Sequence, residues 1–81
     1  MCDDLETKRN VSARVNIKLL RSLRETRKYR IADIATYLGY QVPGAYWFIE
    51  TGQRNLSIEA LYKLSRLYDC TIEDLLIISE G

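Results

Sequence analysis

Side chains fit for covalent or metal chemistry are scarce in this sequence. It has no histidine, and its two cysteines, Cys2 and Cys70, lack the spacing of metal ligands. No paired carboxylates stand where general acid–base work would need them, and a chain this short has little from which to build a pocket. No catalytic residue, metal or cofactor is therefore expected, and Cys70 reads as a small buried hydrophobe. The chemistry that remains is non-covalent. Arg30, Gln41, Gln53, Arg54 and Asn55 carry guanidinium and amide donors, and Trp47 and Phe48 carry aromatic faces. Donors of that kind suit phosphate oxygens and base edges, and apolar faces suit methyl groups.

The elements that must position these groups lie between Ile31 and Gly52. Ile31, Ile34, Ala35 and Leu38 recur at helical spacing, and Gly39 follows where a helix end wants positive φ. Pro43 then suits the first position of a second helix, because its missing N–H has no partner there anyway. That helix runs through Ala45, Tyr46 and Ile49 to Glu50 and stops near Gly52. Two short helices joined by a tight turn form the layout of a DNA-reading helix-turn-helix, although any helical hairpin shares it.

Ala35, Leu38-Gly39-Tyr40, Tyr46, Ile49-Glu50-Thr51-Gly52 and Gln53-Arg54-Asn55 resemble the repressor/Cro-type (XRE-like) helix-turn-helix family of bacteria and phages, in the variant with one extra turn residue. The resemblance extends from about Asn16 to Ile78. It implies an all-α, five-helix repressor-like bundle that binds double-stranded DNA as a homodimer. It also implies a pairing of Arg24 with Glu50, locking the reading helix onto helix 1. The residues alone leave Arg24 an alternative, as a snorkelling arginine on the inner stripe. In the family's docking, Pro43, Gly44, Trp47 and Phe48 face the major groove. None of them carries an amide, carboxylate or guanidinium. Phe48 could pack on thymine methyls, Trp47 could donate its indole N–H to a phosphate, and Gln41 is the best polar candidate for a base edge. The competing reading has Trp47 and Phe48 complete a core or a protein interface. Gln53, Arg54 and Asn55 suit phosphates, as does Arg30, which stands where relatives carry Ser or Thr. Ile31 replaces a glutamine that in relatives holds a phosphate.

The flanks complete the reading. Helix 1 is expected from Ile17 to Lys28, capped by Asn16, with Ile17, Leu20 and Leu23 inward and Lys18, Arg21 and Arg27 outward. Ser57 caps helix 4, with Leu56 and Leu61 as a hydrophobic staple, and Thr71 with Asp74 forms a capping box for helix 5. Leu75, Leu76, Ile77 and Ile78 are an apolar run that serves either a dimer interface or the monomer's own core. Residues 1–15 are expected to be a mobile tail and 16–81 the DNA-binding domain.

Composition sets the outer bounds. Of 81 residues, 47% are hydrophobic and 28% charged, as in ordinary globular chains. No apolar run approaches a membrane span, and the acidic start is unlike a signal peptide, so a cytoplasmic protein is expected, with no small-molecule ligand evident. The net charge is only +1, but from Lys8 to Arg30 nine Lys/Arg face one acid (Glu25). This asymmetry points to a basic face beside an acidic remainder; the alternative is a solvated helix with a charged tail. Two further functions use the same fold. One is a protein-contact module, such as an antirepressor or adaptor, built on the aromatic helix face; the other is an antitoxin whose toxin-binding extension would be the tail.

Overall fold

A computed structural model describes residues 11–80. The order of elements is β1 (Val11–Val15), α1 (Ile17–Thr26), α2 (Ile31–Leu38), α3 (Pro43–Glu50), α4 (Ile58–Leu67), a single 3₁₀ turn (Glu73–Leu75) and β2 (Leu76–Glu80). Local signals set most of these boundaries. Asn16 Oδ1 accepts from the Leu19 N–H at 3.1 Å and starts α1. Gly39, at φ 86°, ends α2 in the left-handed conformation, and the Tyr40 N–H turns back to the Ala35 carbonyl at 2.9 Å. Val42 is extended before Pro43, which opens α3. Ser57 Oγ accepts from the Ala60 N–H at 3.1 Å and starts α4.

Three expectations are corrected. First, the described residues form four α-helices, not five. The Thr71–Asp74 capping box forms, with the Thr71 N–H on Asp74 Oδ2 and the Asp74 N–H on Thr71 Oγ1, both at 3.1 Å. It caps only one 3₁₀ turn, after which Leu76–Glu80 leaves as a strand. Second, Val11–Val15 belongs to the fold rather than to a tail: it pairs antiparallel with β2, with Val15 opposite Leu76 and Ala13 opposite Ile78. The Asn16 N–H on the Leu75 carbonyl, at 2.9 Å, carries this zipper to the start of α1. Branched residues suit such a pleated ribbon better than one more helical turn. Residues 1–10 lie outside the described residues, as does Cys2. Third, α1 ends at Thr26 because Lys28 takes a left-handed conformation at φ 61°. Arg27 is exposed, as expected, and its guanidinium reaches along the surface to the end of α4. There it donates to the Leu67 and Tyr68 carbonyls at 3.2 Å and stacks 5.5 Å from the Tyr68 ring.

The core draws on every helix: Leu20 of α1, Ile34, Ala35 and Leu38 of α2, Tyr46 and Ile49 of α3, and Ala60 and Leu64 of α4, with Tyr68 and Leu75 beyond them. Cys70 packs half-buried against it, and burial pushes its thiol pKa up, as befits a hydrophobe rather than a nucleophile. One charge enters this core. Glu50, at the end of α3, is 2% exposed. Arg24 Nε donates to its Oε2 at 2.8 Å and Arg24 Nη2 to its Oε1 at 3.1 Å. The same guanidinium gives its Nη1 to the Tyr29 carbonyl at 3.0 Å. Arg21 Nη2 donates to the Glu50 backbone carbonyl at 3.2 Å, one of the acceptors a helix end leaves unpaired. Two core tyrosines feel this carboxylate. Burial first, and then Glu50, raise the pKa of Tyr46, and the same causes push Tyr68 up to about 12.

Two outcomes are expected for stability. Arg24→Ala leaves Glu50 buried without its partner and should cost roughly 3–5 kcal/mol. Arg24→Lys should recover only part of this, because an ammonium cannot make the two-pronged contact. Urea unfolding of the three proteins measures both. The tyrosines set an alkaline limit. Their folded-state pKa values lie above the unfolded value of about 10, so their contribution is intact below pH 10. It is lost as pH rises from there toward 12. Urea midpoints at pH 8, 10 and 11 should fall in that order, and Tyr68→Phe should flatten the decline.

Candidate nucleic-acid interface

Helix α3 has two sides with different work. Tyr46, Ile49 and Glu50 are buried. Their spacing of three and one turns the rest of the helix outward. Pro43, Gly44, Trp47 and Phe48 are all exposed, Trp47 to 46% and Phe48 to 43%. Positions 43 and 47, and 44 and 48, are four apart, so these four residues form one stripe. The two rings meet edge to face, with centroids 5.4 Å apart and planes at 67°. That arrangement favours a fixed aromatic pair over two independently moving rings. Within the monomer, neither ring is taken into the core.

Val42 joins this surface without having been expected there. It is 60% exposed at the N-cap of α3 and extends the apolar stripe toward the turn. Its place directly before Pro43 was the available signal, since the preceding residue is held extended and cannot tuck its side chain into the helix. Gly44 adds nothing to the packing: a Cβ placed there would meet no atom within 4 Å.

Polar groups collect at the C-terminal end of α3. Gln53, Arg54 and Asn55 are exposed in the loop beyond it. Arg54 and Asn55 line a shallow hollow together with Arg14 of β1, over a floor of Ile17, Ile49 and Gly52. Arg14 is a second cation that sequence reasoning did not bring to this place, because its strand pairing is invisible to local pattern. A neighbouring hollow is lined by Lys18 and Arg21 of α1 with Glu50 and Thr51. Among the described residues, Arg14, Lys18 and Arg54 have no acidic partner within 4.0 Å. Gln53 Nε2 donates to Thr51 Oγ1 at 3.1 Å, which holds its amide beside the helix end.

The remaining candidates sit toward the other elements. Gln41 is exposed in the turn before α3. Arg30 precedes α2, with its guanidinium Nε 3.6 Å from Asp33 Oδ2. The Arg30 N–H donates to the same carboxylate at 2.8 Å and holds the Asp33 carboxyl below its usual pKa. Asp33 thus supplies the helix start that Arg30, lacking an acceptor, cannot. Of the apolar run at the end, Leu75 is fully buried in the monomer's own core and offers nothing to a second subunit. Leu76 and Ile77 are half-buried and Ile78 is 48% exposed, all on β2. No group of three or more His, Cys, Asp or Glu among the described residues could hold a metal ion.

A helix with an exposed stripe and cations at one end can lie along a polyanion. The comparison with known families agrees with this geometry. Residues 20–75, from the middle of α1 through the 3₁₀ turn, match the helix-turn-helix family of the Cro/C1 type. No curated protein matches the chain. The matched region spans more than half the chain and contains both helices of the reading unit, and the protein belongs to the Cro/C1-type, XRE-like helix-turn-helix family of DNA-binding transcription regulators.

Proposed function

We propose that this protein represses transcription by occupying a duplex operator, with α3 laid in the major groove. Gln53, Arg54 and Asn55, with Arg14 and Lys18, would grip phosphates at one end of the helix; Arg30 and Gln41 would make contacts from α2 and the turn. The observation that carries the reading is the pairing of an outward stripe on α3 with cations that have no acidic partner among the described residues. Charges left unpaired beside a convex helix serve a polyanion better than they serve the fold.

The operator would be a pseudo-palindrome read by two copies, whose reading helices would lie about 34 Å apart, one turn of B-DNA. The β1–β2 ribbon is the proposed contact between copies. It has only two strands, fewer than a ribbon needs for independent stability, and Ile78 is exposed upon it. Leu76 and Ile77 would flank that contact. A second reading is favoured by the exposed Trp47–Phe48 pair: aromatic anchors of this kind also serve protein partners.

Titration against a random duplex pool separates the two readings. A dimer contacting 6–10 phosphates should lose about 10³–10⁵-fold in affinity between 50 and 200 mM salt. Arg54→Ala should weaken binding to all sequences alike and reduce the salt slope by about one per subunit. Failure to bind the pool at 50 mM salt would favour the protein-contact reading. For the dimer, Ile78→Asp should remain helical by circular dichroism while sedimentation shows monomers and operator affinity drops. An unchanged mass would move the interface elsewhere.

A further inference from the structure

We infer that α3 selects its sites by the 5-methyl groups of pyrimidines in the major groove and not by base hydrogen bonds. The inference rests on the DNA-reading proposal above and specifies what that helix reads. The surface that would enter the groove comprises Val42, Pro43, Gly44, Trp47 and Phe48. The indole N–H of Trp47 is its one polar side-chain group, and an indole donates without accepting. The ionised and hydroxyl groups of α3, Glu50 and Tyr46, are buried on the opposite side.

Base chemistry then narrows the choice. In the major groove guanine offers two acceptors, adenine an acceptor and a donor, and cytosine a donor. Pressed against an apolar stripe, each would be stripped of water without gaining a partner, and the adenine opposite a thymine bears that cost as guanine and cytosine do. Thymine differs in presenting an apolar 5-methyl beside its acceptor. The stripe therefore discriminates by packing on methyl groups, since every base pair bears the loss of hydration and only a 5-methyl offsets it. The edge-to-face Trp47–Phe48 pair presents a fixed step, so this packing loses little side-chain freedom. Gly44 keeps the middle of the stripe low: no side chain rises there, and nothing within the monomer occupies the space where one would. The same surface would accept 5-methylcytosine, which places its methyl at the equivalent position.

The test begins with the whole protein and a random 20-base-pair duplex pool at about 50 mM salt, from which bound duplexes are enriched and sequenced. The preferred duplex is then made again with deoxyuridine for thymidine, a change that removes only the 5-methyl group. Each methyl lost from the contact should weaken binding about fourfold, the equivalent of about 0.8 kcal/mol per buried carbon. Phe48→Ala should bind the thymidine and deoxyuridine duplexes alike while melting near the parent temperature, since its ring is outside the core. In a pool with 5-methylcytosine for cytosine, enriched sites should gain methylated cytosines in place of thymines. Equal affinity of the parent protein for the thymidine and deoxyuridine duplexes would overturn the inference and leave DNA reading standing. Absence of any duplex binding at 50 mM salt would overturn both, and would leave the aromatic stripe to a protein partner.

Discussion

Glu50 occupies the least favourable place for an anion on its own helix. It is the last residue of α3, where the helix dipole is already negative, and its side chain is removed from water. A carboxylate there persists only if it is paired. Arg24 supplies that pairing from α1 with two donors, and Arg21 covers the carbonyl of the same residue. Because the contact is two-pronged, it fixes the orientation of the helix end as well as its position. The other end of α3 is fixed by the turn between Gly39 and Pro43. With both ends held and Tyr46 and Ile49 seated in the core, Trp47 and Phe48 stay outside it and remain available for contact.

Local signals with a single mechanical meaning were legible in the sequence. A side-chain acceptor at Asn16 or Ser57, a left-handed glycine at 39 and a proline at 43 each specify a helix boundary without reference to the rest of the chain. The errors arose where a partner distant in sequence decided the outcome. Thr71 and Asp74 made their capping box, yet the course of the chain beyond a cap depends on competition between one more helical turn and the available β1 strand. β1 won because Leu76–Glu80 is rich in branched residues that suit a pleated ribbon. Lys28 shows another limit: a lysine in the left-handed region carries no sequence signature, so periodicity makes α1 two residues too long.

The candidate site divides in the same manner. Trp47 and Phe48 were placed on the outer face by spacing from Tyr46 and Ile49, a local inference. The Arg24–Glu50 pair spans 26 positions and was reached through family resemblance, since periodicity alone was equally satisfied by a snorkelling arginine. Arg14 was out of reach of both. It meets Arg54 and Asn55 only because β1 is stitched to β2 and the zipper ends at Asn16. Burial also settled what an apolar run could not, since Leu75 and Ile78 look alike in sequence and lie at opposite extremes of exposure.

Gly44 brings these threads to one atom. Glycine inside a helix costs about 0.5–1 kcal/mol relative to alanine, and here no internal neighbour would obstruct the methyl group. Its φ is not in the left-handed range, so the backbone does not require glycine either. Folding therefore gives no reason for the residue. On the proposed reading, a bare backbone between Pro43 and the aromatic pair would let a duplex approach closely. Cations at the end of α3 would draw any duplex in without regard to its sequence. On that reading discrimination would come from what touches the stripe, and Gly44 would permit that touch at the shortest distance a helix allows.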